Sequence, residues 1–127
     1  MNNISIEGTP KTPTVNFNSE TGILELSGRS IPENSIDFYI ELLNWIENYG
    51  ESTSLKTELN MKLEYFNTAS SKCILDVFKK LEVIAKAGKD VTINWFYEMD
   101  DEDMLEAGED YDAIIDINFV MKEVEEF

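Results

Sequence analysis

Histidine does not occur in this sequence of 127 residues, and cysteine occurs once, at Cys73. Without histidine the chain lacks the commonest general base, the commonest metal ligand and the usual sensor of near-neutral pH. A single cysteine excludes an intramolecular disulfide and, with no histidine, a zinc centre of the usual kinds. Beside Ile74 on a helical pattern, Cys73 reads as a small buried hydrophobe rather than a reactive thiol. Glycine is sparse as well: six residues stand singly at turns and helix ends, with no phosphate-cradling loop and no G-x-S-x-G elbow. No cofactor, no metal and no enzymatic activity are expected.

Positive charge is also scarce. Ten basic residues face 26 acidic ones, a net charge of −16. A nucleic-acid binder needs Lys and Arg to displace counterions from phosphates, and this surface repels the backbone instead. Anionic headgroups are repelled likewise, so neither nucleic acid nor membrane is an expected partner. No stretch approaches the roughly 18 apolar residues that span a bilayer. Residues Met1 to Ile6 have no basic segment followed by an apolar one, so the expected location is cytoplasmic.

Against these absences stand a 43% apolar fraction and fourteen aromatics, seven Phe, five Tyr and two Trp. That much apolar material, regularly spaced, argues for a folded chain despite its charge. The pattern opens with Ile4 and Ile6, breaks at Gly8–Pro13, then alternates over Thr14–Asn18. The turn Ser19-Glu20-Thr21-Gly22 leads into Ile23–Leu26, which completes a hairpin. Gly28–Asn34 announces a loop and a helix start, with Ser30 or Asn34 as cap, Pro32 in the first turn and Gly50 as stop. That helix carries two apolar stripes, Ile36-Ile40-Leu43-Ile46 and Phe38-Leu42-Trp45-Tyr49, a wide apolar face. Tyr39 and Trp45 remain open between core and contact surface.

Residues 55–66 alternate, with Leu55, Leu59, Met61, Leu63 and Tyr65 expected on one buried face. A helix then runs to about Ala87 and ends at Gly88, with Ile74, Val77, Phe78, Leu81, Ile84 and Ala85 inward. Val91–Tyr97 has too few polar residues for an edge strand. A short helix around Met104–Ala107 and a terminal helix or strand within 112–120 complete the order. Strands alternating with helices predict an α/β fold, one domain over 1–127, with a mixed β-sheet and helices packed mainly on one face.

The acidic run Glu98-Met99-Asp100-Asp101-Glu102-Asp103 does not make an EF-hand loop. Counting from Asp103 puts Gly108 at position six, but Leu105 and Ala107 then occupy ligand positions. A solvated loop or helix start is the plainer reading. More informative is Asn67-Thr68-Ala69-Ser70-Ser71-Lys72, where a strand delivers three hydroxyls and a lysine to a helix start. Unpaired N–H groups and the positive end of the helix dipole favour a phosphate there. The ordinary alternative is that Asn67, Thr68 or Ser70 is simply an N-cap.

Three stretches carry a likeness to a known family: Ser27–Asn34, Leu63–Lys72 and Asp101–Tyr111. With the matching element order, the chain resembles the SiaC-type regulatory phosphoproteins, bacterial proteins with a STAS-like fold. Ile31 departs from the pattern, standing where an aromatic is expected. The resemblance implies a partner-switching module. It implies that Thr68 is phosphorylated by a cognate protein kinase and dephosphorylated by a PP2C-type phosphatase. It further implies an effector such as a diguanylate cyclase, with an output in aggregation and biofilm regulation. Arg29, Asn67, Ser70, Ser71 and Lys72 are then candidate partner-binding residues; for Arg29 a solvated turn position is an equal alternative. A competing reading is a constitutive acidic protein-interaction module in which segment 98–112 mimics an anionic ligand and Thr68 is only structural. A carboxylate or metal-dependent enzyme using Asp100, Asp101 and Asp103 is a third.

Overall fold

The computed structural model describes residues 2–53 and 56–127. Their element order is β1 (Ile4–Ile6), β2 (Thr14–Asn18), β3 (Ile23–Ser30), α1 (Ser35–Ser52), β4 (Thr57–Phe66), α2 (Thr68–Lys86), β5 (Val91–Glu98), α3 (Glu102–Ile114) and β6 (Asn118–Val124). This is the order the sequence predicts, with a strand as terminal element. Leu55, assigned inward from the alternation, lies outside the described residues.

The six strands form one sheet in sequential order, antiparallel from β1 to β3 and parallel from β3 to β6. Parallel neighbours need crossovers, which α1, α2 and α3 supply. Each crossover moves one strand along the sheet in the same direction, so a common hand puts all three helices on one face. Val15, Phe17, Leu24, Leu26, Leu59, Met61, Leu63, Ile93 and Trp95 point to that face and are buried. The other face is a polar layer: Lys62 pairs with Glu25 at 2.9 Å, Asn94 donates to Asn60 at 2.9 Å, and Lys62 and Lys122 lie over the Phe96 ring. As expected, β5 is an interior strand and Cys73 is buried. Burial first, then the negative charge of Asp76, pushes the Cys73 thiol above its ordinary range.

Four details correct the sequence reading. Asn34 caps α1, its Oδ1 accepting from Asp37 N at 3.1 Å, so Ser30 is not the cap and Pro32 lies before the helix. Gly50 does not stop α1, which continues to Ser52. It lets α1 approach α2 closely, since a Cβ there would stand 2.5 Å from Ile84 Cγ1. On α1, Ile36 and Ile40 of the first stripe face outward at 71% and 48% exposure, whereas Trp45 of the second stripe, and Tyr39 outside both, belong to the core. Finally, Tyr65 is exposed, and the cause is a β-bulge. Gly28 pairs with Leu63 but Arg29 pairs with Tyr65, so Glu64 and Tyr65 together oppose one residue. The extra residue inverts the alternation: Thr57, Leu59, Met61 and Leu63 point inward, then Phe66 rather than Tyr65 turns back toward the core.

Candidate functional site

The parallel strands end along one edge of the sheet, and α1, α2 and α3 all start there. The head of α2 is fixed at this edge by hydrogen bonds at both its main chain and its side chains. Asn67 N donates to Ser30 O at 3.1 Å, continuing the β3–β4 pairing to the last residue before the helix. Asn67 then caps the helix, its Oδ1 accepting from Ser70 N at 2.8 Å. Asn67 is thus the cap among the three candidates.

Beneath the cap is a buried hydroxyl relay. Ser70 Oγ donates to Ser30 O at 3.0 Å, and Ser30 Oγ donates to Ser70 Oγ at 2.9 Å. With both serine protons so placed, Tyr39 Oη must donate to Ser30 Oγ across their 2.7 Å contact. Desolvation holds the Tyr39 phenol in this protonated form by pushing its pKa upward. Ser35 Oγ lies 3.4 Å from Ser70 Oγ, so the first residue of α1 joins the same knot.

Ser70 has no exposed surface, which corrects its assignment as a partner-binding residue: it holds the helix head and cannot meet a partner directly. Thr68, by contrast, is exposed as the first residue of α2, with no protein group bonded to its hydroxyl among the described residues. The N–H groups of the first turn point out of this helix end beside it. Lys72 is exposed one turn further along. Ser71 is half-buried; its Oγ donates to Thr68 O at 2.8 Å and its carbonyl accepts from Tyr111 Oη at 2.8 Å. That bond ties α2 to α3, and burial raises the Tyr111 pKa as well. Arg29 is exposed on the bulge, its guanidinium 5.5 Å from the Tyr65 ring centroid. The structure therefore brings Arg29, Asn67, Thr68, Ser71 and Lys72 to one edge of the sheet. Tyr65 and Tyr39 are the site residues that sequence reasoning missed. A bulge leaves no sequence mark, but a tyrosine one turn beyond a buried helix start is a signal for a buried hydroxyl partner.

The acidic segment gathers at the same edge. Asp101 caps α3, its Oδ1 accepting from Met104 N at 3.0 Å. Partial desolvation and the negative charges of Asp100, Glu64, Asp101 and Glu126 raise the Glu98 pKa. Among the described residues no group of three or more acidic or cysteine side chains is placed to hold a metal ion. Nor, among them, is any helix long and apolar enough to cross a membrane.

A mixed sheet covered on one face by helices, with an exposed threonine as the first residue of α2 after the Asn67 cap, defines an α/β domain. The family model for the SiaC family regulatory phosphoproteins matches residues 6–124, and the chain belongs to that family. An uncharacterized protein of Pseudomonas aeruginosa strain UCBPP-PA14 is 31% identical over 111 residues, covering 87% of this chain and 88% of the relative. Among solved structures, SiaC of Pseudomonas aeruginosa superposes with a TM-score of 0.91 at 27% identity, over 98% of this chain and 100% of that one. SiaC in the complex where it activates the diguanylate cyclase SiaD matches with a TM-score of 0.91 at 28% identity, over 95% and 99% of the two chains.

Proposed function

We propose that this chain is a cytoplasmic, non-catalytic regulatory protein whose binding to an effector is switched by reversible phosphorylation of Thr68. A cognate protein kinase adds the phosphate, a PP2C-type phosphatase removes it, and the effector is of the diguanylate cyclase kind. The single observation that carries the reading is the exposure of Thr68 at the head of α2, beside a junction fixed by the Asn67 cap and the buried bond from Ser70 to Ser30. An enzyme can reach this hydroxyl without unfolding the helix. Membership of a regulatory phosphoprotein family and the likeness to a cyclase activator support the same direction.

Phosphorylation adds a charge of about −1.5 to −2. Added to a net charge of −16, this changes the overall field little, so the effect is local. A dianion within a contact surface must be desolvated, and a loss of about 3 kcal/mol lowers affinity roughly a hundredfold. Lys72 partly offsets the new charge, and Arg29 stands at the same edge. The experiment is intact-mass analysis after incubation with the cognate kinase and ATP. One added phosphate is expected for the wild type and for Ser71→Ala, and none for Thr68→Ala. An unmodified wild-type mass overturns the reading.

The constitutive acidic module is favoured by one observation: Glu98, Asp100, Asp101, Glu102 and Asp103 line an open acidic hollow. It predicts binding that weakens with salt and ignores both Thr68→Ala and Thr68→Asp.

A further inference from the structure

The sheet face that carries no helix is mostly polar, yet Phe96, Val124 and Phe127 converge on it and line a cavity of about 530 Å³. The floor runs from the Phe96 ring to Gly28, which stands at φ +97° and puts no side chain into the space. A glycine inside a strand often marks the close approach of a ligand. Val124 and Phe127 make the walls, and Phe127 is 47% exposed. Glu126 and Glu64, which the bulge on β4 turns outward, stand at the rim. The negative charge gathered here exceeds what the nearby lysines neutralise. Lys62 lies over the Phe96 ring but is paired with Glu25 at 2.9 Å, and Lys122 is 5.6 Å from the same ring centroid. Glu98 stands beside Val124, where partial desolvation and then the charges of Asp100, Glu64, Asp101 and Glu126 raise its pKa. None of these carboxylates is in an ion pair among the described residues.

We infer that this cavity binds a small organic polycation, a flexible alkyl chain bearing two or more ammonium groups. The inference does not depend on the reading of Thr68. The volume falls within the range of about 300–1,000 Å³ that holds small ligands. Shape and charge together select the class. Methylene groups displace water from Phe96, Val124 and Phe127, while ammonium groups meet the carboxylates of Glu64, Glu98 and Glu126. The aromatic floor accepts cations, as the positions of Lys62 and Lys122 show, and Lys62 stays with Glu25 rather than cancelling the rim. An anion is repelled by the rim. A bare metal ion fits less well, because these carboxylates are spread around the cavity and, among the described residues, no acidic group is clustered to hold one. A lysine or arginine side chain from a protein offers one cation, whereas Glu64, Glu98 and Glu126 are all unpaired.

The test titrates the isotopically labelled full chain with spermidine and follows its amide resonances, with magnesium chloride at matched ionic strength as control. The expected result is saturable shifts at Gly28, Phe96 and Phe127 that magnesium does not reproduce. Butylamine, with a single ammonium group, should bind about tenfold more weakly or worse. Glu64→Gln combined with Glu126→Gln should also weaken spermidine binding about tenfold or more. Phe127→Ala should weaken it with every carboxylate kept, which separates the apolar contribution from the charge. Glu64, Glu126 and Phe127 are exposed, so these variants keep the fold, and unchanged resonances elsewhere check it. Equal shifts with magnesium, shifts confined to residues 100–103, unchanged affinity in the double variant, or no saturable shift at any position overturns the inference.

Discussion

Ser70 Oγ donates to the main-chain oxygen of Ser30 across 3.0 Å, joining the head of α2 to the end of β3 two residues from Thr68. Both serines are fully buried, and both also bond to each other and, through Ser30, to Tyr39. Four serine, tyrosine and main-chain groups from three elements thus fix a helix head whose first residue is left exposed. The rigidity of the junction and the accessibility of Thr68 have the same origin.

Ser70→Ala should therefore destabilise the protein, because it removes the buried acceptor of the Ser30 hydroxyl and one of the two donors to the Ser30 carbonyl, which keeps Asn67 N. A loss of about 1–3 kcal/mol is expected from breaking this buried network. Thr68→Ala, at an exposed position without a hydroxyl contact, should stay within about 0.5 kcal/mol of wild type. Urea unfolding of the two variants checks the contrast, and equal losses would contradict the assignment of roles.

The helix dipole makes a second test. Thr68→Asp puts a negative charge on the first residue of α2, where it should stabilise the fold by about 0.3–1 kcal/mol at low ionic strength. The gain should shrink in high salt. Lys72→Ala should reduce it further, since Lys72 is the nearest cation along the helix. Thermal unfolding of the single and double variants at two salt concentrations measures both effects.

Much of this architecture was legible in the sequence because period-two and helical spacings mark buried faces directly. The element order, the interior position of β5 and the buried Cys73 all follow from them. What could not be read were features decided by tertiary partners. The Glu64 bulge turns Tyr65 outward without any break in the apolar alternation. The two stripes of α1 are equally apolar, and only tertiary packing decides that Leu42 is covered and Ile36 is not. Gly50 resembles a helix stop until Ile84 is seen against it. Within the hydroxyl cluster, Thr68 and Ser70 are chemically alike, and only the geometry of Ser30 and Tyr39 separates the exposed one from the buried one.

Gly50 gives a third prediction. Adding a methyl group at this position drives it into Ile84 Cγ1 and Cδ1, so Gly50→Ala should cost about 1–3 kcal/mol by overpacking. That runs against the usual helix-propensity gain of replacing glycine by alanine. Ile84→Val in the same chain should recover part of the loss, because it removes Cδ1. A double-mutant cycle by urea unfolding gives the coupling between the two positions, and additivity would show that the contact is not the cause.

The last prediction concerns pH and the acidic edge. Glu98 has a raised pKa in the folded protein, through partial desolvation and then the charges of Asp100, Glu64, Asp101 and Glu126. A carboxyl with a folded pKa above its unfolded value binds its proton more tightly when folded. Ionisation of Glu98 therefore opposes folding, and the penalty is complete once pH exceeds the folded pKa. As pH falls through that value toward the unfolded one, the penalty disappears. Glu98→Gln should accordingly stabilise the protein at pH 7, and its advantage should vanish on acidification below the ordinary glutamate range. Salt should narrow the difference at pH 7 by screening the four neighbours. Unfolding curves of wild type and Glu98→Gln from about pH 3 to 8 test the sign: an advantage that grows with acidity would contradict it, because a carboxylate stabilised by its surroundings would show the opposite trend.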